Sequence, residues 1–411
     1  GGQIYSTFND NKYGIMSGTS MAAPHVAGGS ALALERVTEL FPELTGLDKV
    51  NMANNILMST AHPLTDKGTY NAHYESGSFY SPRSEGAGVM DVFAAVKTPA
   101  VVYDKTSELS KVNLKEIGDK TNFVITVNNF SDEAVTYNVS ANAQTDLMLN
   151  GAIQAESDLI FVDGTVDQGS GLGEAPLQFT GLDGTEITVP ANSTIDIPVE
   201  LDLSNTVDWF YNAPVTELFP NGTFVEGFVQ LTAVDDNTPS LSIPYVGFYG
   251  EWDQAPVIDG DVYGLTGDTY YEYSGLLTPA EGDYEYLIPV LAQDIADFAI
   301  SPNGDDKADQ VLPIVSFLRN AKTFSVDIYS GDGEKLLRHI AGETDLRKHY
   351  YDNKRGPLYT FKSSWAWDGA VKNKVTDGAY ILRITAAIDY PGAQPQVIDY
   401  PVVVDTVPPV I

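Results

Sequence analysis

The sequence predicts a multidomain protein in which a mixed, mainly helical segment precedes two all-β units of the sandwich type. The chain has 411 residues, which is more than one ordinary domain. Apolar residues recur at helical spacing over residues 1–100 and alternate with polar residues farther along the chain. Glycine, asparagine, aspartate and proline separate the alternating runs, a pattern that is typical of antiparallel sheets.

Three helices are expected in the first hundred residues. The stretch SMAAPHVAGGSALALERVTEL is rich in small residues and apolar on most sides, so it predicts a buried, closely packed helix. LDKVNMANNILMST carries apolar residues at helical spacing, and VMDVFAAVKT predicts a third helix that Pro99 stops. Residues 1–100 are therefore the first predicted domain.

Short alternating runs follow this segment and predict β-structure. The apolar members of the clearest runs are Phe123, Ile125 and Val127, then Val135, Tyr137 and Val139, and later Ile195, Ile197, Val199 and Leu201. The run SIPYVGFYGEW closes a first predicted sandwich, residues 101–253. A tyrosine- and acid-rich connecting segment is predicted for residues 254–295, and a second sandwich for residues 296–411.

The composition is strongly acidic and lacks cysteine. There are 56 Asp and Glu residues against 23 Lys and Arg residues, a formal net charge of -33. This balance argues against nucleic acid as a partner, because phosphates need a basic surface. The missing cysteines exclude disulfides, thiolate metal sites and a cysteine nucleophile. No apolar run is long enough to span a membrane, and the composition fits a soluble extracellular protein.

The stretch GTSMAAPHVAG places a serine at the predicted start of the first helix. A serine hydroxyl is a poor nucleophile until a base removes its proton and donors stabilise the oxyanion. At Ser20, free backbone N–H groups and the positive end of the helix dipole would supply such donors. Gly18 lets the backbone pass close to a substrate. The alternative interpretation is a small-residue helix start with a capping serine.

This stretch resembles the serine signature of subtilisin-like proteases at every position, and SPRSEGAGVMDVFAAV is similar to the helix that closes their catalytic domain. The resemblance implies that Ser20 is the nucleophile, that its own N–H contributes to the oxyanion hole, and that the Thr19 hydroxyl supports this hole. The family's order is Asp, then His, then Ser. The catalytic aspartate and histidine are therefore expected upstream of this chain, which alone is expected to lack peptidase activity.

His25 lies five residues after Ser20, and residues at that spacing do not share a helix face. We therefore interpret His25 as a structural residue of the helix. None of the other histidines stands in the glycine-rich context that the family uses for its base; they are His62, His73, His339 and His349. No residue of this chain is thus predicted to be the general base.

Later segments of the chain indicate which subgroup of subtilisin-like proteases it resembles. NGTFVEGFVQL, SIPYVGFYGEW and ISPNGDDKADQV are similar to segments of the large cell-envelope proteinases, the lactocepins and the complement-factor-cleaving peptidases. The resemblance implies the C-terminal part of an α/β subtilisin-like domain followed by two fibronectin-type-III-like or immunoglobulin-like sandwiches. It also implies a secreted, cell-wall-associated serine endopeptidase that cleaves proteins through an acyl-enzyme.

Three functional hypotheses remain open. In the first, the chain is the nucleophile-bearing part of that endopeptidase, and its partners are a protein or peptide substrate and an N-terminal segment that supplies the Asp and His. In the second, the sandwiches are non-catalytic surface spacers or binding modules, and residues 1–100 are a vestigial protease segment. In the third, the protein is a nicked protease, and this chain is held non-covalently to an N-terminal fragment. A co-purifying chain with an Asp and a glycine-flanked His would support it.

The loop SPNGDDKAD places oxygen-bearing side chains at alternating positions. No cofactor is expected for the chemistry, but Asn303, Asp305 and Asp309 are predicted ligands of a structural Ca²⁺. A turn closed by Asx side chains is the alternative. Trp365 and Trp367 are interpreted as sandwich core rather than as a surface that binds sugar or peptide.

Overall fold

The structure is a computed structural model, and it describes residues 1–66, 78–167, 172–280, 282–289, 298–350 and 356–407. His73, residue 281 and residues 290–295 of the predicted connecting segment lie outside the described residues. The chain divides into two units, Gly1–Trp252 and Asp253–Ile411. No described helix is long and apolar enough to cross a membrane.

In the part of the chain that the structure describes, the first unit begins with a hairpin and then helices. Its elements are β1 Ile4–Phe8, β2 Lys12–Met16, α1 Thr19–Leu40, α2 Gly46–Ser59, α3 Pro82–Glu85 and α4 Val92–Lys97. Strands β1 and β2 pair antiparallel, and β2 leads directly into α1. Helices α1, α2 and α4 confirm the three predicted helices, while the single turn of α3 is not among them.

Helix α1 is less buried than its sequence predicts. Gly29, Ala33 and Val37 lie at four-residue spacing and are buried on the side that packs against α2 and α4. Val26 is 51% exposed and Leu32 is 47% exposed, because the described residues leave that side of the helix uncovered. The small residues of α1 therefore form one contact stripe rather than a helix that is buried all round.

The rest of the first unit is β-structure. Its elements are β3 Ala100–Asp104, β4 Val112–Ile117, β5 Lys120–Asn129, β6 Val135–Ala141, β7 Gln144–Leu149, β8 Ala152–Val162, β9 Leu177–Phe179, β10 Glu186–Val189, β11 Ser193–Asp202, β12 Thr206–Asp208, α5 Val215–Leu218, β13 Thr223–Ala233 and β14 Leu241–Tyr249. One sheet has the strand order β3-β5-β11-β9. The other has the order β10-β6-β13-β7-β8-β12, and β14 joins β13 to β4. The β14-β4 pair is parallel, and the other described pairs of this unit are antiparallel.

The alternation in the sequence corresponds to the two faces of these strands. Val127 of β5 and Ile197 of β11 are buried from one sheet, and Tyr137 of β6 and Val229 of β13 are buried from the other. These side chains belong to one apolar core that both sheets share. The predicted change from helical to β-structure near residue 100 is confirmed.

The described residues of the second unit form strands and a short 3-10 helix. Its elements are β15 Gly275–Ala280, β16 Asp283–Tyr286, β17 Ala299–Ile300, β18 Leu312–Ile314, β19 Ala321–Ser330, β20 Leu336–Leu346, the 3-10 helix Ser363–Trp365, β21 Ala370–Val371, β22 Lys374–Val375, β23 Gly378–Ala387 and β24 Gln396–Val404. Its sheets have the orders β17-β24-β23-β19-β20, β16-β15-β18 and β21-β22. Trp365 and Trp367 are 0% exposed in the apolar core of this second unit, which confirms their interpretation as core residues.

The predicted connecting segment, residues 254–295, is not a separate linker. Its Leu276 is fully buried in the core of the second unit. The acidic residues of this segment are also not signs of exposure, because Asp259 is only 1% exposed. Its carboxylate accepts hydrogen bonds from the backbone N–H groups of Tyr270, at 2.8 Å, and Tyr271, at 2.6 Å. Such bonds stabilise a buried carboxylate, so an acid-rich segment can belong to a core.

Candidate active site

The predicted nucleophile lies in the first turn of α1. The helix begins at Thr19, and Gly18 precedes it with a φ of 147°, a conformation that side chains rarely adopt. The Gly18 carbonyl oxygen accepts hydrogen bonds from the N–H groups of Met21, at 3.1 Å, and Ala22, at 3.2 Å. No side chain caps this helix end. The alternative interpretation of Ser20 as a capping serine is therefore wrong.

The backbone before the serine is fastened to the start of the hairpin. The Ser17 hydroxyl accepts a hydrogen bond from the Gln3 N–H at 2.8 Å. The Gly18 N–H donates to the Gly1 carbonyl oxygen, also at 2.8 Å. These bonds hold the turn that positions Ser20 at the start of the helix.

Ser20 and His25 both line a pocket of about 360 Å³ between the hairpin and α1. Ile4, Phe8 and Met16 contribute apolar side chains to its wall. Ser20 itself is exposed. The serine hydroxyl is therefore accessible to a reactant from this pocket.

The ring of His25 is held by its own helix. Its Nδ1 lies 2.7 Å from the carbonyl oxygen of Met21, so Nδ1–H is the donor of a bond within α1. This bond agrees with the structural interpretation of His25. The five-residue spacing predicts that His25 and Ser20 lie on different faces of the helix. Both residues nevertheless line the same pocket.

A general base for Ser20 is not apparent among the residues that the structure describes. The Ser20 hydroxyl forms no hydrogen bond with a histidine, aspartate or glutamate in these ranges. The other described histidines have partners elsewhere: His62 with Asp91, His339 with Asp327, and His349 with Phe317 and Thr360. The structure thus places the predicted nucleophile in a pocket, and none of the histidines that it describes is hydrogen-bonded to Ser20.

The predicted calcium loop is closed by its own hydrogen bonds. One oxygen of Asp309 accepts the backbone N–H groups of Asn303, at 2.8 Å, and Gly304, at 2.9 Å, and the other accepts that of Asp306 at 2.9 Å. These bonds, that of Gly304 foremost, lower the pKa of Asp309. Within the described ranges, no three His, Cys, Asp or Glu side chains are grouped to hold a metal ion. Calcium at Asn303, Asp305 and Asp309 stays a prediction, and the hydrogen bonds favour the Asx-closed turn.

Removing calcium with a chelator is expected to leave the unfolding midpoint of the second unit unchanged, because backbone N–H groups already satisfy Asp309. Asp309→Ala is expected to lower the free energy of unfolding by about 1 kcal/mol, with or without calcium. Differential scanning calorimetry measures both effects, and Asp283→Ala provides an exposed control. A midpoint that rises with added Ca²⁺, and no longer rises in Asp309→Ala, would instead support the predicted calcium site.

Comparison with known proteins finds two family matches, and both lie in the first unit. Residues 2–88 match the subtilase family, and residues 112–246 match an Fn3-like domain. A PI-type proteinase of Lactococcus lactis subsp. cremoris is 29% identical in an alignment that covers 100% of this chain and 21% of that protein. A C5a peptidase of Streptococcus pyogenes serotype M3 is 26% identical over 100% of this chain and 38% of that protein. The chain therefore spans only a part of the length of these relatives.

These matches confirm the resemblance to subtilisin-like cell-envelope proteinases. The subtilase match includes Ser20, and the Fn3-like match lies inside the first predicted sandwich. The fibronectin-like character of the second unit stays a prediction. Among solved structures, a class 5 fimbriae chaperone covers 72% of this chain with 9% identity and a TM-score of 0.24, a likeness too low to carry an argument.

Proposed function

We propose that this chain carries the nucleophile of a secreted, cell-wall-associated serine endopeptidase of the subtilisin type. Ser20 attacks the carbonyl carbon of a peptide bond in a protein substrate and forms an acyl-enzyme, which water then hydrolyses. One observation carries this proposal. The signature GTSMAAPHVAG forms the first turns of a helix, where Ser20 is exposed and is not used as a cap.

The start of α1 has the properties that the reaction requires. N–H groups in a first helical turn have no acceptor within the helix, and the helix dipole places a partial positive charge there. Both stabilise the negative charge that develops on the substrate carbonyl oxygen. The N–H of Ser20 and the hydroxyl of Thr19 are the proposed donors. The pocket beside Ser20 gives the substrate access to them.

We also propose that a separate N-terminal segment supplies the catalytic aspartate and histidine. The absence of a base bonded to Ser20 in the described ranges supports this requirement, as do the partners of the other described histidines. The isolated chain is therefore expected to be inactive, and the complete catalytic domain is expected to form only when that segment is present.

A fluorophosphonate probe followed by peptide mapping tests the proposal. The isolated chain is expected to show no more labelling at Ser20 than its Ser20→Ala variant, because a serine without a base reacts poorly with such probes. In the complete protease, Ser20→Ala is expected to remove labelling and to lower kcat by several orders of magnitude. Ser30→Ala, a serine farther along α1, is the matched control.

The outcomes separate the two parts of the proposal. Labelling of Ser20 in the isolated chain would show that a base is present, and the requirement for a second segment would then be wrong. A complete protease that keeps its activity in Ser20→Ala would exclude Ser20 as the nucleophile. The alternative function, a surface spacer or binding module, would then be favoured, and it has support from the Fn3-like match over residues 112–246.

A further inference from the structure

Arg83 of α3 forms ion pairs with two carboxylates of the larger β-sheet. Its Nε lies 2.8 Å from Glu226 Oε2, and one of its terminal nitrogens lies 2.6 Å from Asp146 Oδ1. The Glu226 side chain is only 1% exposed. The guanidinium also lies 4.3 Å from the centre of the Phe224 ring. A carboxylate buried this deeply depends on its partner, because losing that partner leaves an uncompensated charge.

The side chain of Gln144, on β7, forms with the backbone of Phe79 the two hydrogen bonds that a neighbouring strand would otherwise provide. Its amide nitrogen donates to the Phe79 carbonyl oxygen at 2.8 Å, and its amide oxygen accepts the Phe79 N–H at 3.1 Å. Gln144 is 0% exposed. The ring of Phe79 meets that of Phe228 edge to face, with 5.4 Å between their centres. The β-sheet thus satisfies both backbone groups of a residue that lies outside it.

Two further buried hydrogen bonds join the same regions. The Asp66 carboxylate accepts the backbone N–H of Ser157 at 2.9 Å. The Ser242 hydroxyl donates to the Ala61 carbonyl oxygen at 3.2 Å. Breaking either bond would leave a buried polar group without its partner, which costs more than the bond itself contributes.

The apolar core that packs against α1 also includes side chains from the β-strands that follow the helices in the first unit. Ala33 and Val37 of α1 and Ile56 of α2 share this core with Val101 of β3, and Phe130 packs against it. Val101 is 0% exposed. Without these strands, the helices would expose apolar side chains that are now buried. Burial of such surface is the main stabilising contribution to a fold.

We infer that the Fn3-like domain is a folding platform that the subtilase-matching segment needs in order to stay folded. The surface concerned, the docking surface, consists of Gln144, Asp146, Ser157, Glu226 and Ser242. These residues lie within the Fn3-like match, and their partners Ala61, Asp66, Phe79 and Arg83 lie within the subtilase match. The inference goes beyond the proposed function, because it is independent of the chemistry at Ser20.

The docking surface predicts that the two segments unfold together. A network of buried polar contacts is stable only when its members are all satisfied, so partial separation of the segments is costly. A spacer joined through a solvated boundary would instead unfold separately. The Fn3-like domain is thus expected to act as a structural part of the protease-like region.

Native-state hydrogen exchange of the intact chain tests the inference without any substitution. Amides of α2 and of β13 are expected to exchange through one opening, with the same free energy and the same dependence on urea. The inference is overturned if α2 amides exchange through a separate opening of lower free energy while β13 stays protected.

Substitutions at the docking surface provide a second test. Glu226→Gln keeps the side-chain size but removes the buried charge, and it is expected to raise exchange rates throughout α2 by about tenfold or more. Glu200→Gln is the matched control, because Glu200 lies on β11 and pairs only loosely with Lys120, at 3.9 Å. It is expected to leave the rates in α2 unchanged.

Gln144→Ala is the second variant, and it replaces Glu226→Gln if that variant does not fold. It removes both hydrogen bonds to Phe79, and its α2 exchange rates are compared with those of Glu200→Gln in the same way. An increase in exchange that is confined to the β-strands, with α2 rates as in the wild type, would contradict the inference. An increase in α2 and in the β-strands together, and its absence in Glu200→Gln, would support it.

Discussion

Raising the pH from about 4 to about 8 is expected to reduce the stability contribution of one carboxyl group, Asp158, by about 5 kcal/mol. Asp158 is 3% exposed, and its carboxyl group forms a hydrogen bond with Asp208, which is 2% exposed. Burial, followed by the charge of Asp208, raises the pKa of Asp158 to about 8. Asp208 accepts the N–H groups of Tyr211 and Ala213, both at 2.8 Å, so Asp158 is the partner that keeps the proton.

The direction of the pH dependence follows from this proton. The unfolded chain loses it near the ordinary aspartate pKa of about 3.9. Between that pH and about 8, the folded chain binds one more proton than the unfolded chain. The contribution of Asp158 is therefore complete below about pH 4, decreases by about 1.4 kcal/mol per pH unit, and is lost above about pH 8.

Urea unfolding of Asp158→Asn at several pH values isolates this effect. The substitution removes the titrating group and keeps a donor that can reach Asp208. The free energy of unfolding of the variant, relative to that of the wild type, is expected to increase as the pH rises. Asp163→Asn, an exposed carboxylate just beyond β8, is expected to show no such trend. A difference between Asp158→Asn and wild type that does not change with pH would rule out a shared proton.

Trp365→Ala is expected to lower the free energy of unfolding of the second unit by about 3 to 5 kcal/mol. The Trp365 ring lies 4.7 Å from that of Phe324, centre to centre, and its indole N–H donates to the Glu343 carboxylate at 2.7 Å. The substitution leaves a cavity in the core and removes a donor from a carboxylate.

Trp365→Phe is the control for the size of the ring. It keeps most of the buried volume and loses the hydrogen bond to Glu343, so its expected cost is smaller, about 1 to 3 kcal/mol. Calorimetry of both variants measures the difference. A Trp365→Ala chain with the stability of the wild type would contradict the role of this ring in the core.

The helices and many of the strands could be predicted because their patterns are local. The spacing of apolar residues in α2, and the alternation in β5 and β11, are visible within a dozen residues. The degree of burial of α1 could not be predicted, since it depends on which neighbours cover each side of the helix. The tyrosine- and acid-rich segment was wrongly predicted to be a connection for a related reason. The backbone donors that stabilise buried Asp259 lie eleven and twelve residues away, so no local pattern reveals them.

The candidate site and the docking surface show the same contrast. Ser20 could be proposed as the nucleophile from the sequence because its signature is one contiguous stretch. The partners of Arg83 could not, because Glu226 lies 143 positions away and no local pattern connects the two. A signal was nevertheless present, since Glu226 interrupts the apolar run TFVEGFVQL, and a charged residue in a buried strand needs a partner.

The contact between Ser242 and Ala61 spans 181 positions of sequence, and this separation has a consequence for the order of folding. Ala61 follows α2 and precedes β14 by a long stretch of chain, yet its hydrogen bond with Ser242 cannot form until β14 is available. At a synthesis rate of about 5 to 20 residues per second, this delay amounts to roughly 10 to 40 seconds. Contacts of such long range also slow folding through the entropy of loop closure. If the Fn3-like domain is the folding platform inferred above, the serine-bearing helix is made early but is expected to become stable only after the strands of the docking surface exist. The appearance of an ordered nucleophile would then depend on completion of the Fn3-like domain.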